Sequence, residues 1–285
     1  MTILVTGGRG QLGRSVVACG ARRGQAIVAV DHEVDVSDRA QVAAALAAHA
    51  PDAVINAAAY TAVDKAEAER ERAFAVNAEG AANVARACAD RGIPLVHVST
   101  DYVFDGTAMR PYREDDPIAP LGVYGASKAA GERAVLDSGG TVVRTSWLFA
   151  TGGPSFVHTI LRLATERPVL RVVADQHGCP TWAVDLADAL LAVLELRVAA
   201  GVYHACGDGA TTWHAFATAI VDEARRHRRL ACERIDAITT LEYQTPARRP
   251  AYSVLDTTRL RDAGIALPSW RAGLARVVAD ELGGS

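Results

Sequence analysis

A short apolar run, a glycine-rich turn and an amphipathic segment follow one another within the first 23 residues, and few architectures accept that order. Gly7-Gly8-Arg9-Gly10-Gln11-Leu12-Gly13 joins a strand expected at Thr2–Thr6 to a helix expected at about Gln11–Arg23. Glycines at 7, 10 and 13 permit a tight turn, a close approach of backbone to a pyrophosphate, and intimate helix–strand packing. The helix N-terminus then offers N–H donors to phosphate. Asp31 ends the second apolar run 18 residues past Gly13, where a carboxylate can accept hydrogen bonds from an adenosine ribose. Gly7, Gly10, Gly13 and Asp31 are therefore candidate dinucleotide contacts. Asp31 repels a 2′-phosphate and favours NADH, whereas Arg9 inside the loop offsets that charge and admits NADPH, so both cofactors stay open.

The same alternation continues along the chain. Strands are expected at Ala26–Val30, Ala53–Asn56, Leu95–Ser99, Thr141–Thr145 and Leu170–Val173, and helices at about Arg39–His49, Ala73–Arg91 and Val123–Leu136. Nearly continuous apolar strands separated by helices predict an α/β fold, a Rossmann-type doubly wound parallel sheet covered on both faces. After Ala174 the elements shorten, with breaks at Gly178-Cys179-Pro180, Gly207-Asp208-Gly209 and 246–250. The expected division is a dinucleotide-binding domain over 1–150, also receiving later segments, and mainly a smaller substrate-binding lobe over 151–285.

Composition excludes several functions. A net charge of −3 leaves no basic footprint for nucleic acid. The five scattered cysteines form no C-x-x-C or metal-ligand spacing and read as reduced thiols in the cytoplasm. Ile3-Leu4-Val5 is too short for a signal-peptide core, and no apolar run nears the ~18 residues of a membrane span. A cytoplasmic protein without a membrane partner is expected.

Tyr124 and Lys128 stand at i and i+4 on one helix face. A phenol with an ordinary pKa near ~10 is a poor acid–base group, and a neighbouring cation, reinforced by a nicotinamide that becomes positive on oxidation, brings it toward useful range. Of the chain's 30 basic residues only Lys65 and Lys128 are lysines. A lysine retained in so arginine-rich a chain implies a role for a compact charge that arginine cannot fill.

Together the glycine loop and Tyr124-Gly125-Ala126-Ser127-Lys128 resemble the extended short-chain dehydrogenase/reductase superfamily. That resemblance implies Tyr124 and Lys128 as the acid–base pair and Thr100, at the end of the fourth strand, as the hydroxyl that orients the substrate carbonyl, with Ser99 as the neighbouring alternative. Asn77 is implied as an anchor of this region or of a proton-relay water. More specific runs extend across the chain. They are the loop itself, Asn56-Ala57-Ala58-Ala59-Tyr60-Thr61-Ala62-Val63-Asp64-Lys65-Ala66-Glu67, Ser99-Thr100-Asp101-Tyr102-Val103-Phe104 and Arg249-Pro250-Ala251-Tyr252-Ser253-Val254-Leu255-Asp256. These are similar to the dTDP-4-dehydrorhamnose reductase family. Matching positions implies cofactor contacts from Gly10, Gln11, Leu12, Asp31, Asp35, Val36, Ala59, Tyr60 and Thr61, and substrate contacts from Thr100, Asp101 and Trp147.

Physical readings stand beside these. Trp147 suits a plain core position or a stacking surface for a sugar or base. Arg248 and Arg249 suit a solvated loop or the forked recognition of a substrate diphosphate. Asp175–Thr181 is read as a substrate-side loop in which His177 is structural. Metal-bridged dimers in the family carry a glutamate two residues after the loop's last glycine, where this chain has Ser15, so neither Mg²⁺ nor that dimer mode is carried over and the chain is expected as a monomer or homodimer.

The implied reaction is NADPH- or NADH-dependent reduction of the C4 ketone of a dTDP-linked 4-keto-6-deoxy sugar. Rival readings are a nucleotide-sugar epimerase or dehydratase and a non-catalytic NADP-binding regulatory subunit. Dehydratases place Asp-Glu after the triad threonine, whereas this chain has Asp101-Tyr102. The Tyr124/Lys128 pair counts against the regulatory reading.

Overall fold

A computed structural model describes residues 1–283. Strands β1 (Thr2–Thr6), β2 (Ala26–Val30), β3 (Ala53–Asn56), β4 (Leu95–Thr100) and β5 (Thr141–Thr145) join an edge strand, Val202–His204, in a six-stranded sheet. All pairings are parallel, in the order Val202–His204, β5, β4, β3, β1, β2. Side chains alternate across the sheet as the period of two requires. Ile3 and Val5 enter one core with Leu186, Leu190 and Leu191, and Leu4 enters the opposite core with Val84 and Leu46. Both faces are covered, so the chain is a doubly wound α/β protein. The order in which successive strands are added reverses between β1 and β3, and the crevice at that switch point is where such sheets bind ligands.

One strand lies elsewhere than expected. The run containing Leu170–Val173 does form a strand, Val169–Val173, but it pairs with Arg234–Ile238 in a separate two-stranded sheet. The place beside β5 belongs to Val202–His204, three residues too short to show a period. Helix Ala183–Glu195 precedes that strand, and its Leu186 and Leu190 join α1 (Gln11–Arg22) residues Leu12 and Val16 in the core, so part of the later chain returns to the nucleotide-binding half. The remaining lobe has its own core of three helices, Phe156–Glu166, Trp213–Arg225 and Trp270–Leu282, around Phe216. The helix expected at Ala73–Arg91 is interrupted by a π-helical turn, Ala75–Gly80, which carries Asn77.

Candidate active site

The carboxyl ends of β1–β5 open into a cleft of about 970 Å³. At one end Gly7 adopts a left-handed φ of +67°, and a Cβ there would lie 2.8 Å from Ala57 O and Ala58 N. A Cβ on Gly13 would approach Gly7 O to 2.3 Å, so α1 can press on the loop only through glycine. Helix α1 begins with no side chain capping its amides and no acidic residue in its first turn, and Gln11, Leu12 and Gly13 line the cleft. Uncapped donors reinforced by the helix dipole are the chemistry of a phosphate site. Asp31 Oδ2 accepts the Arg9 N–H at 2.8 Å, locking the loop to the end of β2. His32 Nε2 lies 3.2 Å from Asp31 Oδ1, and the exposed Arg9 guanidinium pairs with Glu33 at the rim. Asp35 accepts from the amide and hydroxyl of Ser37 at 2.9 and 2.7 Å, while Val36 packs over Gly80.

Asn77 joins the cofactor end to the Tyr–Lys helix. It accepts the Tyr60 N–H at 2.8 Å, and its amide donates to Tyr60 O at 3.1 Å and Ser127 Oγ at 3.0 Å. The loop of Ala59, Tyr60 and Thr61 is thereby fixed to the helix that carries Tyr124 and Lys128. That helix, Val123–Asp137, starts with Glu67 Oε1 accepting the Val123 N–H at 2.8 Å. Glu67, inside the family-like run, thus has a long-range structural task that the run alone does not disclose.

Lys128 is almost wholly buried. Its ammonium donates to Val98 O at 2.6 Å and meets His97 Nε2 at 3.3 Å. Behind it, Thr6 Oγ1 donates to Asn56 Oδ1 at 2.7 Å and Asn56 Nδ2 meets His97 Nδ1 at 3.1 Å, so the lysine's seat is wired to the end of β1. Burial, against the attraction of Glu132, lowers the Lys128 pKa to about 8, leaving it charged at neutral pH. The expectation that this cation depresses the tyrosine pKa is not met in the geometry, because the ammonium turns to Val98 O and His97 instead of the phenol. Burial, opposed by a hydrogen bond with Thr100 and helped by the charge of Asp101, pushes Tyr124 up to about 12. The phenol is protonated at neutral pH, as an unshifted tyrosine would be, and burial makes it the weaker acid.

Thr100 ends β4 beside that phenol; its hydroxyl donates to Asp101 Oδ1 at 3.1 Å and accepts the Tyr102 N–H at 3.2 Å. Ser99 Oγ, Asp101 Oδ2 and Thr145 Oγ1 are buried without a hydrogen-bond partner, and all three residues line the cleft. Unpaired buried polar atoms are costly, so their concentration on the cleft floor fits a polar ligand such as a nicotinamide and the sugar above it.

Trp147 lines the cleft just past β5. It takes a left-handed φ of +46°, rare outside glycine, and stacks on Trp213 with ring centroids 3.5 Å apart and planes 8° from parallel. Gly178 lies against the indole so closely that a Cβ would come within 2.5 Å of it. His177 pairs with Thr212 and bridges to Tyr252, holding the 175–181 loop in place.

The cleft gathers the glycine-loop candidates, Asp31, Asp35, Val36, the 59–61 loop, Thr100, Asp101, Tyr124, Lys128 and Trp147. Arg248 and Arg249 do not line it. The Arg249 fork is filled by Asp64, with Nη1–Oδ1 at 3.0 Å and Nη2–Oδ2 at 2.9 Å, a clamp spanning 185 residues of sequence. Ser15, at the position of the family's metal-bridging glutamate, bonds its own helix through Gln11 O. Among the described residues no group of three or more His, Cys, Asp or Glu is placed to hold a metal.

A parallel sheet with a glycine loop at its switch point and a Tyr–Lys pair at its carboxyl edge is the construction of the short-chain dehydrogenase/reductase class. Within that class the chain belongs to the RmlD substrate binding domain family, whose profile matches residues 1–282. The dTDP-4-dehydrorhamnose reductase of Streptomyces griseus is 47% identical over 280 residues, 95% of this chain and 91% of that protein. The enzyme of the same name from Burkholderia thailandensis is 45% identical over 296 residues, covering 99% of each. The crystal structure of dTDP-4-dehydrorhamnose reductase from Bacillus anthracis in complex with NADP superposes with a TM-score of 0.91 at 37% identity, over 97% of this chain and 98% of that one.

Proposed function

We propose that the protein is an NADPH-dependent oxidoreductase that reduces the C4 ketone of a dTDP-4-keto-6-deoxy sugar, dTDP-4-dehydro-L-rhamnose or a close analogue, in deoxysugar nucleotide synthesis. The observation that carries the reading is the meeting of the Tyr124 phenol and the Thr100 hydroxyl in the same cleft as the uncapped α1 N-terminus. Residues 1–150 form most of the dinucleotide half and 151–285 mainly the substrate half, with 183–204 returned to the former.

When bound, the reduced nicotinamide supplies the hydride. Gly10, Gln11, Leu12 and Gly13 hold the pyrophosphate with backbone amides and the helix dipole. Asp31 accepts from the adenosine ribose, while the Arg9 guanidinium beside it offers charge to a 2′-phosphate. Two of the three Lys128 donors are taken by Val98 O and His97, leaving one for a ribose hydroxyl. Tyr124 gives its proton to the developing C4 alkoxide, and Thr100 orients that oxygen and stabilises its charge. Trp147 offers a flat face to the sugar.

The substrate is a soluble nucleotide sugar, and the five cysteines are free and buried, which suits a cytoplasmic enzyme working as a monomer or homodimer. No helix among the described residues is long and apolar enough to cross a membrane. The test supplies dTDP-4-keto-6-deoxyglucose, a 3,5-epimerase and NADPH or NADH, and identifies the sugar formed. Tyr124→Phe is expected to lower kcat by about 10²–10⁴; near-normal turnover in that variant overturns the assignment of the proton donor.

A further inference from the structure

The hydroxyl of Thr100 has one proton and two lone pairs. One lone pair takes the Tyr102 N–H at 3.2 Å, and Asp101 Oδ1 lies 3.1 Å away, where an ionised carboxylate can only accept the hydroxyl proton. A ketone oxygen brings no proton of its own, so Thr100 can donate to it only by releasing Asp101. With Asp101 ionised, that single proton is claimed twice.

We propose that Asp101 works as the neutral acid, donating its proton to Thr100 Oγ1 so that the Thr100 hydroxyl proton is free for the C4 oxygen. Asp101 is thereby a positioning residue acting through Thr100; the inference rests on the reductase reading above and deepens it. With the bond reversed, Thr100 Oγ1 accepts from Asp101 and from Tyr102 N–H and donates once, which saturates it. The C4 oxygen then receives Thr100 on one lone pair and Tyr124 on the other, and no proton is used twice.

The surroundings of Asp101 favour the neutral form independently. The residue is 2% exposed, and its Oδ2 is buried with no partner. The groups that face it are the hydroxyls of Thr100 and Ser253, the phenols of Tyr102 and Tyr124, and the mutually bonded thiols of Cys179 and Cys206. They come from its own segment, the Tyr–Lys helix, the 178–180 loop, the end of the edge strand and the C-terminal segment, and none is a cation. A carboxylate so placed is buried with no counter-charge, an arrangement that a proton relieves. Burial outweighs the hydrogen bonds from Ser253, Thr100 and the main chain of Asp101 and Tyr102, which favour the ionised form, and raises its pKa to about 7.

The test measures kcat against pH with NADPH and keto sugar both saturating. Wild type is expected to lose activity as pH rises through about 7, where Asp101 ionises, ahead of Lys128 at about 8. In Asp101→Asn the amide donates to Thr100 at every pH. Its kcat at pH 6 is expected to exceed that of Asp101→Ala, with the alkaline midpoint moved up from that of wild type toward 8. Asp101→Ala lacks the donor and is expected to lose about tenfold or more in kcat with KM changed less than about threefold. An Asn variant as slow as the Ala variant, an unmoved midpoint, or an Ala variant as fast as wild type overturns the proposal.

A spectroscopic measurement holds even if those variants do not fold. The NADPH-loaded Asp185→Asn protein, with ¹³C-carboxyl-labelled aspartate, removes the other aspartate that burial raises, to about 6. A labelled protonated-carboxyl C=O stretch should be present at pH 6 and gone by about pH 9. Its absence at pH 6 overturns the proposal. Failure of wild type to reduce any keto sugar would instead remove the function proposed above, and the infrared band would still report the state of Asp101.

Discussion

On the dinucleotide side of the cleft the ligand-facing surface is main chain: glycines packed too closely for a Cβ, and the bare amides of α1. On the substrate side the surface is made of side chains held by other side chains from distant parts of the sequence. Arg249 grips Asp64, Trp213 backs Trp147, and Ser253 reaches Asp101. A main-chain surface presents one fixed geometry to a pyrophosphate that every dinucleotide shares. A side-chain surface can be altered one contact at a time, which is what discrimination among sugars requires. Lys128 and the Glu132–Arg144 pair tie the Tyr–Lys helix to β4 and β5.

The strongest challenge to this contrast is at the junction. Arg144 donates to Glu132 at 2.9 and 2.7 Å with both side chains buried, joining the Tyr–Lys helix to β5. Arg144→Met alone strands a buried carboxylate and should lower the unfolding free energy by about 3–5 kcal/mol. Adding Glu132→Met should recover most of that in the same denaturation experiment. A single-variant loss below about 1 kcal/mol would mean that the junction is soft. Lys128→Arg comes next: the 2.6 Å approach to Val98 O leaves no room for a guanidinium. Overpacking should cost about 1–3 kcal/mol. The displaced charge should also lower kcat on the order of 10², and wild-type rates would show that any cation serves.

Gly13→Ala probes the main-chain surface itself. Its Cβ meets backbone, not a flexible side chain, so the NADPH Kd should rise about tenfold, roughly 1.4 kcal/mol. The fluorescence of the Trp147–Trp213 stack should stay unchanged, and unaltered cofactor affinity would refute the rigid-loop account. The smallest effect is expected at Arg249→Met. Its pair with Asp64 is partly exposed, so stability should fall by no more than about 1 kcal/mol. KM for the keto sugar should rise several-fold with the NADPH Kd unmoved; a matching loss of cofactor affinity would dissolve the distinction between the halves.

The two surfaces also differ in how far they can be read from residue order. Glycine spacing, the strand before it and Asp31 after it are local, and they point to the loop that the fold places at the switch point. Thr100, Asp101 and Trp147 were implied through resemblance, and the fold sets them on the same cleft. Arg249 illustrates the opposite case. Two arginines before a proline suit solvent or a diphosphate equally well, and only the return of residue 249 beside residue 64 fills the guanidinium fork. The edge strand Val202–His204 escaped notice for a related reason, since three residues carry no period and the strand exists because β5 offers an open ladder.

The amino-acid order, then, sufficed for what arises within about twenty residues: the alternation of strand and helix, the phosphate loop, and tyrosine and lysine on one helix face. Backbone sterics and side-chain periodicity act at that range whatever surrounds them. The direction of the Lys128 ammonium, the raised pKa of Tyr124, the lone oxygen of Asp101 and the partner of Arg249 belong to the packed molecule. Each depends on how deeply a polar group is withdrawn from water and on which group from elsewhere in the chain meets it there.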